Sequence, residues 1–248
     1  MTIKHTLGDR MKRYEEVQQG RLLRRTPVII RLDGKAFHTF TRGLVKPWDE
    51  DLSNAMVNTM VECCDQIQGA IFGYTQSDEI SVLLQDWATF DTDGWYDYKV
   101  QQIVSVAASL ATATFNRSFS RQDGKLALFD ARVFNVPHAD VNNYFVWRQG
   151  DAVRNSISGL AQSKFSHKAL QGKNASQMQD MLHAEFGINW NDTPTRYKRG
   201  ICYRETPSLA TTNGEDLTSL LTNEVDLEIP TFSQDRAYVE RHLDRSPK

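Results

Sequence analysis

Three carboxylates stand where apolar segments give way to polar turns. One is Asp33 in Arg31-Leu32-Asp33-Gly34; the others are adjacent, in Thr75-Gln76-Ser77-Asp78-Glu79. An acid ending a buried strand meets solvent at a sheet edge, and the glycine after Asp33 lets the backbone approach a ligand closely. Taken singly, each stretch also reads as an ordinary turn. Taken together, they read as a divalent-metal site. Close carboxylates repel, and a cation or a shared proton relieves the repulsion. Oxygen ligands favour Mg²⁺, which keeps waters and binds substrate phosphates as well. Two such ions activate a nucleophile and stabilise the leaving oxygen of a phosphoryl displacement. Asp33, Asp78 and the Gly34 carbonyl are the candidate ligands. Adjacent strand residues point to opposite faces, so Glu79 need not bind beside Asp78.

Residues suited to anions surround this set. Lys35 and His38 add positive charge just after Gly34. Lys46 precedes a helix start, where free N–H groups also favour anions, and is a candidate triphosphate contact. In Trp147–Ser156, Arg148 and Asp151 stand at the spacing of a helical ion pair. Gln149, Arg154 and Asn155 there offer donors to phosphates or base edges. A basic series follows: Lys164, His167, Lys168 and Lys173, then Arg196, Lys198 and Arg199. With Phe165, Trp190 and Tyr197 interleaved, it suits RNA phosphates and base stacking, and equally a solvated face. Walker A, GxSxG and HExxH patterns are absent. Cys63, Cys64 and Cys202 lack the spacing of a zinc site and suggest a reduced, cytosolic protein.

The elements that position these residues follow from periodicity. Helical spacing covers Thr6–Gln19, with Leu7, Met11, Tyr14 and Val17 on one face. Asp49–Cys64, the small-residue-rich Val100–Phe115, Asn142–Leu160 and Gln177–Phe186 are also predicted helices, the last ended by Gly187. Val28–Leu32, Ala70–Tyr74, Ile80–Leu84, Ala131–Val136 and Tyr197–Glu205 are predicted strands. The order gives an α+β fold with a ferredoxin-like βαββαβ core, the palm of many polymerases and cyclases, plus additional helices. In that sheet the first strand neighbours the central hairpin, so Asp33 and Asp78 converge. Residues 1–206 form the expected palm-like catalytic domain. From Pro207 the chain turns Thr-, Asn- and acid-rich, so 207–248 is expected to be an appendage or mobile tail.

The chain has 248 residues, enough for a real core, and a net charge of −2 from 29 basic and 31 acidic side chains. Global charge therefore excludes a generally basic RNA binder, and any polyanion site is local. Met1–Arg25 has no apolar signal-peptide core, and no apolar run approaches the ~20 residues that span a bilayer. The expectation is a cytoplasmic protein with no membrane partner.

In their order, several stretches resemble the tRNA-His guanylyltransferase family. They are Val28–Phe40 (VIIRLDGKAFHTF), Lys46-Pro47 with Asp49, Gly73–Ser81 (GYTQSDEIS), Phe129–Phe134 (FDARVF), Trp147–Asp151 (WRQGD) and Lys198-Arg199-Gly200. The resemblance implies a palm that adds nucleotides in the 3′–5′ direction to a tRNA 5′ end. A 5′-monophosphate is activated with ATP or GTP. That activation releases pyrophosphate, and an incoming nucleoside triphosphate then joins through its 3′-hydroxyl, displacing the activating nucleotide as its monophosphate. The resemblance assigns two Mg²⁺ ions to Asp33, the Gly34 carbonyl and Asp78, with Glu79 a supporting acid. It assigns nucleotide binding to Gly34, Lys35, Ala36, Phe37, His38, Lys46 and Ser77. Arg148, Asp151 and Asn155 would shape a second nucleotide pocket, and Lys164, His167, Lys168, Lys198 and Arg199 would hold RNA. A homotetramer, as a dimer of dimers, is implied as well. Eukaryotic members carry His-Ile-Asn-Asn-Leu-Tyr-Asn where this chain has Val153–Gly159 (VRNSISG), keeping only Asn155. That departure is similar to the bacterial and archaeal like-protein branch, which favours template-dependent repair of 5′-truncated tRNA over guanylylation of tRNA-His. Two other readings use the same acids. A nucleotide cyclase would leave WRQGD and KRG without a task. A non-catalytic tRNA-binding protein would not need the three acids.

Overall fold

The apolar run from Val28 to Leu32 is buried on both faces, and its strand, β1 (Val28–Gly34), continues through Asp33. The computed structural model describes residues 6–121, 123–208 and 220–243. Among them, β1 joins β2 (Ala70–Gln76), β3 (Glu79–Leu84), β4 (Phe129–Asn135), β5 (Ile201–Ser208) and β6 (Leu220–Asp226) in one antiparallel sheet. The strand order is β4-β1-β3-β2-β5-β6. The β4-β1-β3-β2 part is the ferredoxin-like arrangement, and β5 and β6 extend one edge of it.

The helices among the described residues are α1 (Leu7–Glu16), α2 (Phe37–Phe40), α3 (Glu50–Gln66), α4 (Val100–Ser118), α5 (Val141–Lys164), α6 (His167–Leu170), α7 (Ala175–Phe186), α8 (Thr195–Lys198) and α9 (Ala237–Glu240). Caps set several of their ends. Asp49 accepts from the Leu52 N–H at the start of α3, and left-handed Gly187 closes α7.

Alternation along the strands makes two cores. Val28, Ile30 and Leu32 face α3 and α4, against Met56, Met60, Ala107, Ala111 and Phe115. The buried alanines of α4 let that helix lie close on the sheet. Ile29, Phe72, Tyr74 and Leu83 face the other way, onto Phe145 of α5 and onto Phe232, Tyr238 and Val239. A smaller cluster of Leu160, Ala161, Leu170 and Leu182 holds α5 to α6 and α7, with Trp48 and Trp190 packed on it.

Three expectations change. Tyr197–Glu205 is not one strand: Pro194 opens the helical turn α8, and Gly200, at φ +90°, redirects the chain into β5. A Cβ on Gly200 would sit 2.6 Å from the Thr75 carbonyl oxygen, so only glycine passes there. The apolar side of α1 does not pack: Leu7, Met11, Tyr14 and Val17 are all exposed. The boundary expected after residue 206 falls inside β5, whose partner β6 and the buried Ile229, Phe232 and Leu243 lie beyond it. Residues 209–219 and 244–248 of the expected tail lie outside the described residues.

Phe232 is 0% exposed in the second core. Phe232→Ala should cost about 3–5 kcal/mol in urea denaturation. A loss within about 0.5 kcal/mol would mean that this segment is not part of the cooperative unit.

Candidate active site

A two-residue turn brings the acids together. β2 and β3 stay in register to the pair Gln76↔Glu79, leaving Ser77-Asp78 as the loop. Such a loop needs left-handed backbone, and Ser77 has φ +51°. β1 runs beside β3 with Asp33 opposite Glu79. The Gly34 N–H donates to the Asp78 carbonyl oxygen at 3.0 Å, tying the end of β1 to the tip of the hairpin. A Cβ on Gly34 would lie 2.3 Å from the Phe37 ring, so the close passage requires glycine.

The charges at this point are unbalanced. Burial pushes the Asp78 carboxyl above its usual range, and the negative charge of Asp33 acts in the same direction. The Ser77 hydroxyl, 3.1 Å from Asp78 Oδ1, and His38 pull the other way. Among the described residues, no lysine or arginine forms an ion pair with Asp33 or Asp78.

Glu79 is answered within the protein. Arg148 Nε and Nη2 donate to its two oxygens, each at 2.7 Å, and each residue is 6% exposed. Such a fork is among the strongest pairings available to a carboxylate. Burial pushes the Glu79 carboxyl up, and Arg148 works against it. Arg148 Nη1 continues to Asp151 at 2.7 Å, and Arg154 closes on the same carboxylate. The Trp147 ring lies 4.2 Å from the Arg148 guanidinium.

Two cavities adjoin the acids. One, of about 370 Å³, is lined by Gly34, Ala36, Phe37, His38, Ser77 and Asp78, with Thr41 and Leu52. Left-handed Ala36, at φ +54°, turns the chain from β1 into α2. The second, of about 290 Å³, shares Thr41, Leu52 and Ser77 and reaches Lys46, Trp48, Gln76, Asn155 and Tyr197.

The predicted residues separate accordingly. Gly34, Ala36, His38, Ser77 and Asp78 come together around the first cavity, Asp33 stands next to them opposite Glu79, and Lys46 and Asn155 both line the second cavity. Lys35 is exposed and lines neither cavity, and its N–H donates to the Leu128 carbonyl. The Phe37 ring is buried among Phe40, Phe115 and Phe129, as an anchor beneath the loop. Arg148 has all three guanidinium nitrogens committed to Glu79 and Asp151, so it has no free fork for a nucleotide. Gln149 donates to the Pro230 carbonyl and accepts from the Phe232 N–H, gluing α5 to the C-terminal segment.

In the basic series, Lys164, His167, Lys168 and Lys173 are exposed, and Arg199 is half-buried. Lys198 is buried and donates to the Asn191 carbonyl at 2.5 Å. Arg196 is tied to Ser53 and Asn54 of α3. Trp190 donates to the Ser156 hydroxyl, and Tyr197 stacks on Trp48 with ring centroids 5.0 Å apart. Trp48 and Gln76 line the second cavity without having been singled out in sequence; their motifs were visible, but their meeting with α5 and α8 was not.

No group of three or more His, Cys, Asp or Glu among the described residues is placed to hold a metal ion. Asp33 and Asp78 are a sparser oxygen set. It suits Mg²⁺, whose shell is completed by water and substrate phosphates.

A family model described as tRNAHis guanylyltransferase matches residues 8–137, more than half of the chain. The chain belongs to the tRNAHis guanylyltransferase family. The model of the family's C-terminal domain matches residues 139–244. A bacterial tRNAHis guanylyltransferase-like protein solved with ATP is 44% identical, with a TM-score of 0.87 over 97% of this chain and 100% of that one. A bacterial like-protein solved with GTP is 41% identical, with a TM-score of 0.81. The tRNAHis guanylyltransferase of Debaryomyces hansenii is 30% identical over 231 residues, 83% of this chain and 84% of that protein. As a tRNAHis guanylyltransferase family member, the chain is a nucleotidyltransferase, and its reaction is 3′–5′ nucleotidyl transfer on tRNA.

Removing one partner of a buried pair strands the other. Arg148→Met should therefore cost about 3–5 kcal/mol, and the Glu79→Gln/Arg148→Met protein should lose less than the sum of the single changes. Urea denaturation of the four proteins measures the coupling, and additive losses would remove the pair from this account.

Proposed function

We propose that Asp33 and Asp78, with the Gly34 carbonyl, hold two Mg²⁺ ions for nucleotide addition to tRNA 5′ ends. The supporting observation is that Asp33 and Asp78 lie near enough to repel, with no ion-pair partner among the described residues, and that Asp78 lines the loop cavity. Bound Mg²⁺ supplies charge neutralisation on the phosphates and activation of the attacking hydroxyl. The chain's own residues do the rest. The Gly34–His38 loop wraps a nucleotide, and Lys46 and Ser77 meet its triphosphate. Glu79 acts indirectly: paired with Arg148, it fixes the start of β3 against α5. Asn155 belongs to the second nucleotide pocket, which Arg148 and Asp151 shape by holding α5 in place. Lys164, His167, Lys168 and Arg199 are the proposed RNA phosphate contacts, and Lys198 braces the turn at Asn191. ATP and GTP both fit the role of activating nucleotide, since bacterial relatives have been solved with each.

Asp78→Ala should lower Mg²⁺-dependent addition to a 5′-truncated tRNA by at least about 100-fold. Activity equal to the unmodified protein would sink the metal assignment.

We infer that the task is template-dependent repair. Val153 replaces the histidine of eukaryotic members, and the asparagine that persists, Asn155, lines the second cavity. Offered mixed truncated tRNAs and all four nucleoside triphosphates, the enzyme should add residues complementary to the opposing strand. Sequencing the extended 5′ ends decides it: G added opposite no partner would mean tRNA-His maturation instead.

A homotetrameric, cytoplasmic enzyme completes the reading. The exposed apolar side of α1 supports self-association. No helix among the described residues is long and apolar enough to cross a membrane.

A further inference from the structure

Gln76 sits on the last position of β2, one residue before the turn that carries Asp78. It is the register partner of Glu79, and paired residues share a sheet face, so its side chain faces α5. It is 8% exposed and lines the cavity of about 290 Å³. Among the described residues its side-chain amide makes no hydrogen bond, although its neighbours Thr75, Ser77 and Glu79 all do. Its amide atoms open into the cavity, so a ligand there would meet a donor and an acceptor that no described residue engages.

The rest of the cavity says what the amide faces. Ser77 lines both this cavity and the one that Asp78 lines, and Lys46 adds a cation to the lining, both suited to phosphates. Trp48 and Tyr197, stacked with 10° between their planes, give a flat aromatic wall. Asn155 contributes from α5. A flat wall, an amide that no described residue engages and a cation in the lining describe a nucleobase with its phosphates attached.

We propose that Gln76 is a specificity-determining residue that reads the edge of a purine base in this cavity and accepts adenine and guanine alike. The inference rests on the nucleotide reading of the site. Adenine presents an N–H donor beside a ring-nitrogen acceptor. Guanine presents a carbonyl acceptor beside a ring N–H donor. A primary amide has one donor side and one acceptor side, and a half-turn exchanges them. No protein partner fixes which way the Gln76 amide is turned, so either base finds a complementary pair. Asp or Glu at this position would accept only, and Met would do neither.

Competition binding against a fluorescent nucleotide tests this, with ATP, GTP and inorganic tripolyphosphate as the three probes. The unmodified protein should bind ATP and GTP with similar affinity. Gln76→Met should weaken both by about 10- to 100-fold and leave tripolyphosphate unchanged. Gln76→Glu should shift the ATP-to-GTP ratio toward GTP by about 10-fold or more, because guanine offers two N–H donors to a carboxylate. Glu79 is the register partner, so Gln76→Glu also brings like charges together; the Met protein carries the test if the Glu protein folds poorly. Unchanged ATP and GTP affinities in the Met protein would overturn the proposal, and so would an equal loss for tripolyphosphate. An unmodified protein that binds none of the three probes would instead overturn the nucleotide reading itself.

Discussion

The hydrogen bond from the Gly34 N–H to the Asp78 carbonyl, 3.0 Å long, joins the end of β1 to the tip of the β2–β3 hairpin. The geometry of the site depends on that junction. Strand register has a period of two, and a slip by one residue would exchange the faces of β1. Asp33 would then turn toward the α3–α4 core, and Leu32 toward α5. The buried alternation of Val28, Ile30 and Leu32 against Ile29 makes such a slip expensive. The Phe37 ring under Gly34 pins the same point from below. Apolar packing on both sides of the sheet therefore fixes where the Asp33 and Asp78 carboxylates stand.

The three acids then part in role because of what lies opposite each. Glu79 faces a guanidinium that satisfies both of its oxygens, so its charge is settled inside the fold. Asp78 lines a cavity with Asp33 near enough to repel it, and burial with that repulsion raises the cost of ionising Asp78. Electrostatics of this kind favours whatever cation can enter with solvent and phosphate. Had Arg148 been free to reach Asp78, the same residues would have made a quiet internal salt bridge.

Much of this was legible in the sequence. The strand and helix alternation, the small-residue stripe of α4 and the turn between Thr75 and Glu79 all carry local signals, and the sheet neighbours follow from the βαββαβ order. The Arg148–Asp151 pair also followed from helical spacing. Other features depend on distant partners and left no local trace. Gln149 looks like a donor for phosphate, yet the Phe232 N–H and the Pro230 carbonyl take its amide. Lys198 reads as a surface cation, yet it is buried and tied to Asn191. The polar composition after Pro207 hid a few large apolar residues, Phe232, Tyr238 and Leu243, which fill one core together. The Trp48–Tyr197 stack joins segments far apart in the chain, and no local pattern announces it.

Helix α5 connects these parts. Residues 148, 152 and 155 recur at helical spacing: Arg148 meets Glu79, and Ala152 and Asn155 line the second cavity. On an adjoining side, Asn142, Phe145 and Gln149 meet Phe232 or its neighbours. A rigid helix that touches the acids, the cavity and the C-terminal segment transmits the position of one to the others. Phe232 and Tyr238 therefore bear on the site without lining its cavity: they hold the adjoining side of α5, which carries Asn155. For the same reason, the C-terminal segment bears on the chemistry even though no ionisable group among its described residues lines the cavity.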